Sequence, residues 1–260
     1  VRCAAVGVFE SLGDDAEPFL ADVVALLRSE VVATRCAAAS ALAAVGEVAG
    51  SHSRAVVGLL SDQETDEDSS HWVACLVAKP PAAMRVPKCA AAAALAALGS
   101  LGQEYADGVA MLLQDANSEV RRCAAEALGK MGMAAARFQH DLLHLCRDES
   151  VSVASAAIFA FGRISAVVGD TTRSSLDLIA KQLKSKHATL REAGVQAFGL
   201  LGEASFVHVD DLVGGLKDPC TRVRLAVIGA ILCLGPRGQL LASEVARLLQ
   251  DKDSGVRIAA

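Results

Sequence analysis

LLQDANSEVRRCAAEALGKMG, residues 112–132, contains a phrase that this chain uses repeatedly. Its second half, VRRCAAEALGKMG (Val120–Gly132), has counterparts in TRCAAASALAAVG (Thr34–Gly46), LREAGVQAFGLLG (Leu190–Gly202) and VRLAVIGAILCLG (Val223–Gly235). The slot held by Arg121 recurs as Arg2, Arg35, Lys88, Arg191, Arg224 and Arg257, with Ala154 in the fifth copy. The steps along the whole series are 33, 53, 33, 33, 37, 33 and 33 residues. A fixed period of this length marks a solenoid, in which no unit buries its apolar face alone and stacking builds the core.

The register extends on both sides of that slot. Six residues before it stand Ser29, Asp115, Asp148, Ser185, Asp218 and Asp251. The closing glycine recurs at 13, 46, 99, 132, 202 and 235, with Ser165 in its place in the fifth copy. The 20 extra residues of the long step fall between Asp62 and Lys88, and the four extra residues of the 37-residue step fall within 166–184.

Each unit reads as two helices. The first carries apolar residues at i, i+3 and i+4, such as Val109, Leu112 and Leu113, or Val245, Leu248 and Leu249. It stops at the Asp or Ser, which suits a turn and is expected to cap the next helix. The second helix starts near the Val-Arg pair and runs to the glycine, a residue suited to a helix end that needs positive φ. No segment alternates as a strand would, so the chain is expected to be all-α.

The stretch Leu112–Gly132 resembles the HEAT repeat, in the short form of about 33 residues known as phycobilin-lyase-type HEAT-like. The resemblance runs over essentially the whole chain. Ankyrin repeats share the period, but their Thr-Pro-Leu-His signature is missing, as is the tetratricopeptide pattern. The resemblance implies a right-handed α-solenoid of antiparallel helix pairs spanning residues 1–260, with 62–87 as an inserted loop. It also implies a protein-binding scaffold or adaptor, enzymes being a minority of the family.

Composition agrees with stacked helices. The chain is 53% hydrophobic but only 3% aromatic, so Ala, Leu and Val must fill the core, and small side chains let helices approach closely. It begins at Val1-Arg2 and stops at Ile258-Ala259-Ala260, in mid-unit at both ends. A solenoid needs polar caps, so the chain is expected to be a segment of a longer array. The net charge of −5 is not that of a nucleic-acid binder, which needs a basic stripe. The charge-poor run near the C-terminus, Leu225–Pro236, is 12 residues long, well short of the ~20 that span a bilayer, and no transmembrane segment is expected.

Cys3, Cys36 and Cys89 share one slot, Cys123 lies one place on, and no Cys-x-x-Cys occurs. Cysteines among helix-borne alanines read as packing residues of an intracellular, reducing compartment, cytoplasmic by expectation, with an organelle left open. His140 and His144 share a helix face as metal ligands would, but no third ligand can be named, and the pair reads as solvated. HEAT-like hydroxylases hold iron through His-Glu pairs, and none of the histidines at 52, 71, 140, 144, 187 and 208 precedes a Glu. No cofactor or metal is expected. The repeated arginines read as structural rungs, each paired with the Asp or Ser upstream in its own unit. On that reading Ala154 leaves Asp148 without its in-register basic partner.

Two features are left as candidates for function. The insert begins with the acidic run Asp62–Asp68, holds Trp72, the chain's one tryptophan, and ends with Pro80-Pro81. Long insertions in regular arrays often bind. The other candidate is the outward face of the second helices. Counting the Arg slot as zero, positions +1, +5, +8 and +9 fall opposite the core, on helices that line the concave surface in HEAT folds. Arg122, Glu126, Lys130, Phe159, Arg163, Gln196 and Leu200 lie there, among small and apolar residues that a solvated face would not carry. Either neighbouring units bury these positions or a partner covers them. The expected function is a non-enzymatic scaffold that holds one or more proteins in a larger complex. The alternative is an enzyme-associated module of the lyase or hydroxylase kind, acting on a protein or a chromophore.

Overall fold

The computed structural model describes residues 2–65, 85–169 and 171–260, with side chains from residue 7 onward. Trp72 and most of the 62–87 insert therefore lie outside the described residues. Contacts gather into two units, 1–135 and 136–260.

In the first unit the second helices are α1 (Arg2–Leu12), α3 (Val32–Val45), α5 (Pro87–Ala97) and α8 (Ser118–Met131). The shorter first helices are α2 (Leu20–Leu26), α4 (Ser53–Val57) and α7 (Ala106–Met111), with the single-turn α6 (Gly99–Gln103) between α5 and α7. In the second unit α10 (Val151–Val168), α12 (Ala188–Leu201), α14 (Thr221–Cys233) and α17 (Ser254–Ala259) are second helices. The first helices there are α9 (Gln139–Leu145), α11 (Arg173–Gln182), α13 (Val209–Gly215) and α16 (Ala242–Ala246), and α15 (Pro236–Gln239) is a short turn. Within each unit successive second helices pack on one another: α1 on α3, α3 on α5, α5 on α8, then α10 on α12, α12 on α14 and α14 on α17. Among the described residues there is no strand. The protein is an all-α solenoid.

The slots explain the packing. Seven residues after the Arg slot stand Leu42, Leu95, Leu128, Phe161, Phe198 and Ile231, all buried. Each such side chain contributes roughly 1.5–3 kcal/mol on leaving water. Six residues after the slot in the same six copies stands a buried alanine, at 41, 94, 127, 160, 197 and 230, whereas the first copy has exposed Val8. The +8 slot carries Ala43, Ala96, Gly129, Gly162 and Gly199. A Cβ on Gly162 would meet Ala197 Cα and Cβ at 2.9 Å, and one on Gly199 would meet Ala230 Cα at 3.3 Å. In α10 and α12 the +8 slot is therefore where one second helix touches the next, whereas in α14 it holds Leu232, 75% exposed. The expectation that it faces outward is corrected for α10 and α12, where the glycine is what lets the two backbones approach, and holds at Leu232 of α14.

Gly46 shows how a second helix ends. Its φ of 73° lies where an L side chain is strained, so the helix stops and the chain turns into the next first helix. In the fifth copy Ser165 stands in that slot, and α10 runs on for about one more turn to Gly169, whose φ is 74°. The four extra residues of the 37-residue step are that turn. Ser165 is buried and its Oγ accepts a hydrogen bond from Gln139 Nε2 at 2.9 Å.

The turn Asp does not cap the helix, contrary to expectation. It stands two residues before the N-cap, and its Oδ1 accepts the backbone N–H two residues on. Asp115 does this for Asn117 (2.8 Å), Asp148 for Ser150 (2.8 Å), Asp218 for Cys220 (2.8 Å) and Asp251 for Asp253 (2.9 Å). The capping side chain, where there is one, belongs to the N-cap residue itself, as in Asn117 accepting from Glu119 N.

The arginine ladder also pairs differently from the expectation. Arg191 Nη1 donates to the backbone oxygen of Ser185, six residues upstream, while Nε and Nη2 donate to Asp218 Oδ2 and Oδ1 at 2.6 and 2.8 Å. Arg224 repeats this with Asp218 O and the Asp251 carboxylate. Arg35 bonds Ser29 O, Asp62 and Glu64, and Lys88 bonds Asp115 and Gln63. The charged partner is the Asp 27 residues downstream, in the next unit's turn. The upstream residue contributes its carbonyl instead. Counting the four inserted residues, the partner of the Ala154 slot is Ser185, so that rung has lost both its base and its acid, and Asp148 is not the residue that Ala154 deprives. The bidentate geometry fixes one turn against the next. Such pairs add little net stability over apolar packing, so register is what they contribute.

Val151–Val168 is long and apolar enough to cross a membrane by length and composition, and half of that span is buried in the protein. Val153, Ala157, Ile158, Phe161 and Ile164 are its core side. The other apolar stretch, 32–61, is interrupted at Gly46.

Candidate functional site

The outward face can now be drawn from side-chain exposure. The +1 slot is a seam between neighbouring second helices. Cys36 and Cys89 there are buried, and Cys89 Sγ lies 3.7 Å from Glu119 O on the next helix. In the second unit the same seam carries an ion pair, Glu192 Oε2 to Arg222 Nη2 at 2.7 Å. What remains outward is +5 and +9, and these slots are covered in α3 and α5 but open on α1, α8, α10, α12 and α14. In α3 and α5 they hold Ser40, Ala44, Ala93 and Ala97, which are buried or half-buried; Ser40 Oγ donates back to Cys36 O. In the second unit they hold Phe159 and Arg163 on α10, Gln196 and Leu200 on α12, and Gly229 and Cys233 on α14, all exposed. Of the two outcomes anticipated from sequence, burial by neighbours holds in α3 and α5. An open face, with Phe159 36% and Leu200 39% exposed, holds in α10 and α12.

Charge on this face is partly self-satisfied. On α8, Arg122 forms ion pairs with Glu119 at 2.5 Å and with Glu126. The Glu119 bond, working against burial, raises the guanidinium pKa, and the same bond holds the Glu119 carboxyl below its usual range. Lys130 is exposed on the last turn of the same helix. Arg163 differs from Arg122: it is exposed and has no hydrogen bond or ion pair among the described residues. Its guanidinium lies one turn from the Phe159 ring.

The cysteines behave as packing groups. Cys36, Cys89, Cys123 and Cys146 are buried free thiols. A hydrogen bond with Cys123 and burial push the Cys89 thiol far up, and burial pushes Cys146 up to about 12. Neither is a reactive thiolate.

One pair of side chains reads from sequence as solvated. His140 and His144 do more than share a face: their Nε2 atoms come within 3.3 Å of each other at a cleft between α9 and α11. The i, i+4 spacing gave the shared face. The far wall of the cleft, Thr172 to Lys181, belongs to the 166–184 stretch that holds the longer step.

This fold defines an α-solenoid that stacks helix pairs, second helix on second helix within each unit. The family model of HEAT repeats matches residues 69–162. The match covers about a third of the chain, and the 33-residue register runs on at either side of it. No curated protein is matched by the chain. Among solved structures it is similar to the complex of CpcE and CpcF of phycocyanin lyase from Nostoc sp. PCC7120, at 22% identity and a TM-score of 0.57, covering 86% of this chain and 79% of that one. It is also similar to YibA of E. coli, at 17% identity and a TM-score of 0.58, covering 97% and 81%. A third is Kap95p in its complex with RanGDP, at 14% identity and a TM-score of 0.63, covering 96% of this chain but 37% of Kap95p. At these identities the likeness is one of fold, and that fold serves both protein-binding solenoids and a lyase.

Proposed function

We propose that this chain is a non-enzymatic scaffold segment that docks a protein partner on the outward face of α10 and α12. The observation that carries this reading is a change of residue type at two fixed slots. Where α3 and α5 have small, covered side chains, α10 and α12 have exposed Phe159 and Leu200 beside Arg163 and Gln196. Aromatic and Arg anchors commonly carry much of an interface's energy, and an unpaired Arg four residues from an aromatic projects the same way along a helix. Arg122, Glu126 and Lys130 extend the reading onto α8 as a charged patch of its own. Solenoids of this fold have been solved holding protein partners, Kap95p with RanGDP and CpcE with CpcF. The buried thiols suit a reducing intracellular compartment.

Hydrogen exchange with and without a co-purified partner tests the proposal. Protection should appear across 155–163 and 192–200. Protection confined to 66–84, around Trp72, would move the docking site to the insert and overturn the proposal.

A further inference from the structure

Between α9 and α11 lies a cleft of about 640 Å³, with Phe161 in its wall. His140 and His144 stand on one side, and Thr172, Ser174 and Lys181 on the other. The two imidazoles meet edge to face with ring centroids 4.8 Å apart. Their Nε2 atoms are 3.3 Å apart, and both rings are exposed to the cleft. Zinc binds imidazole nitrogen at roughly 2.0–2.1 Å in tetrahedral geometry, which places two coordinating nitrogens roughly 3.3–3.4 Å from each other. The observed separation is that of a chelating pair.

We propose that His140 and His144 form a bidentate site for a divalent transition ion of the zinc class. Two coordination positions stay open toward the cleft. There Lys181 and Arg147 supply positive charge, and the hydroxyls of Thr172 and Ser174 supply hydrogen bonds, so a carboxylate or another small anion can complete the shell. Asp177 also lines the cleft but is engaged elsewhere. Its Oδ1 lies 3.4 Å from Arg173 Nε and 2.9 Å from His208 Nε2, the latter contact lacking hydrogen-bond alignment. Among the described residues no third His, Cys, Asp or Glu joins the pair. The ion is therefore held by two protein ligands and is exchangeable. The competing explanation is a hydrogen bond between two neutral imidazoles, which gives a similar distance with no ion.

The test titrates Zn2+ and Co2+ into the full chain at neutral pH, beside His140→Ala, His144→Ala and the double variant, with helicity checked by circular dichroism. The expected result is one ion bound, affinity at least 10-fold lower in each single variant, and no binding at this site in the double variant, with helicity unchanged. The Co2+ form should show d–d bands without thiolate charge transfer. Two results overturn the proposal: Zn2+ affinity unchanged in the double variant, or a thiolate charge-transfer band that persists without the histidines and assigns the metal to cysteine.

Discussion

Gly162, Gly199 and Gly229 all lie inside second helices, and alanine at each tests how closely those helices approach. Helix propensity alone favours each change to Ala by about 0.8–1 kcal/mol. At Gly229 a new Cβ meets nothing within 4 Å, so the full gain should appear. At Gly162 the same carbon lands 2.9 Å from Ala197 Cα, a backbone atom that cannot swing aside. Forcing a methyl into a packed contact costs about 1–3 kcal/mol, which offsets the propensity gain and leaves a net loss of up to about 2 kcal/mol. Gly199, at 3.3 Å from Ala230 Cα, should fall between them. Urea and thermal unfolding of the three variants should rank Gly229→Ala above the parent, Gly199→Ala near it and Gly162→Ala below it. For a chain of this size 1 kcal/mol moves the midpoint by roughly 2–4 °C. Equal stabilisation by Gly162→Ala and Gly229→Ala would refute the assignment of the +8 slot to the helix–helix contact.

Leu128→Asp should lower stability by several kcal/mol, since Leu128 is fully buried and an unpaired carboxylate there is costly. Because neighbouring units share their interfaces, the loss should show in the whole melt, and a melt like the parent's would contradict the register. Acid should weaken the ladder through Asp218. Burial pushes its carboxyl up, but the Arg191 hydrogen bond and the Cys220 N–H outweigh burial and hold it below the usual carboxylate range. A lowered folded-state pKa gives stability that is present above the unfolded value of about 3.9 and is lost as pH falls through the folded value. The gap in stability between the parent and Asp218→Asn should therefore be full at neutral pH and shrink below about pH 4. A gap independent of pH down to 2 would mean that Asp218 gains nothing from its charge.

The repeat register was legible because solenoid packing assigns one job per slot. Leu128, Ala127 and Gly132 announce core, contact and helix end in a single phrase, and the period carries them along the chain. The partner of each arginine was not legible. A six-residue spacing to the upstream Asp and a 27-residue spacing to the downstream one are both constant in a periodic sequence. The choice between them depends on how one turn sits over the next. The Ala154 and Ser185 substitutions did hold the answer, since the rung that loses its base also loses its acid. The outward face was half legible. Slots +5 and +9 followed from helix geometry, but Cys36 and Cys89 at +1 and Gly162 and Gly199 at +8 were misplaced because an isolated helical wheel does not show where the next helix covers it. The far wall of the His140–His144 cleft comes from the 166–184 stretch, which sequence showed only as a longer step.

Docking through α10 is tested most directly by measuring affinity and melting temperature on one variant, Phe159→Ala/Arg163→Ala, with the captured partner. If Phe159 and Arg163 are anchors, binding should weaken by roughly 2–4 kcal/mol, about 30- to 700-fold, with helicity intact and little change in melting temperature. If Phe159 serves the fold instead, the melting temperature will fall while the folded protein binds as tightly as before, and that result would contradict the account.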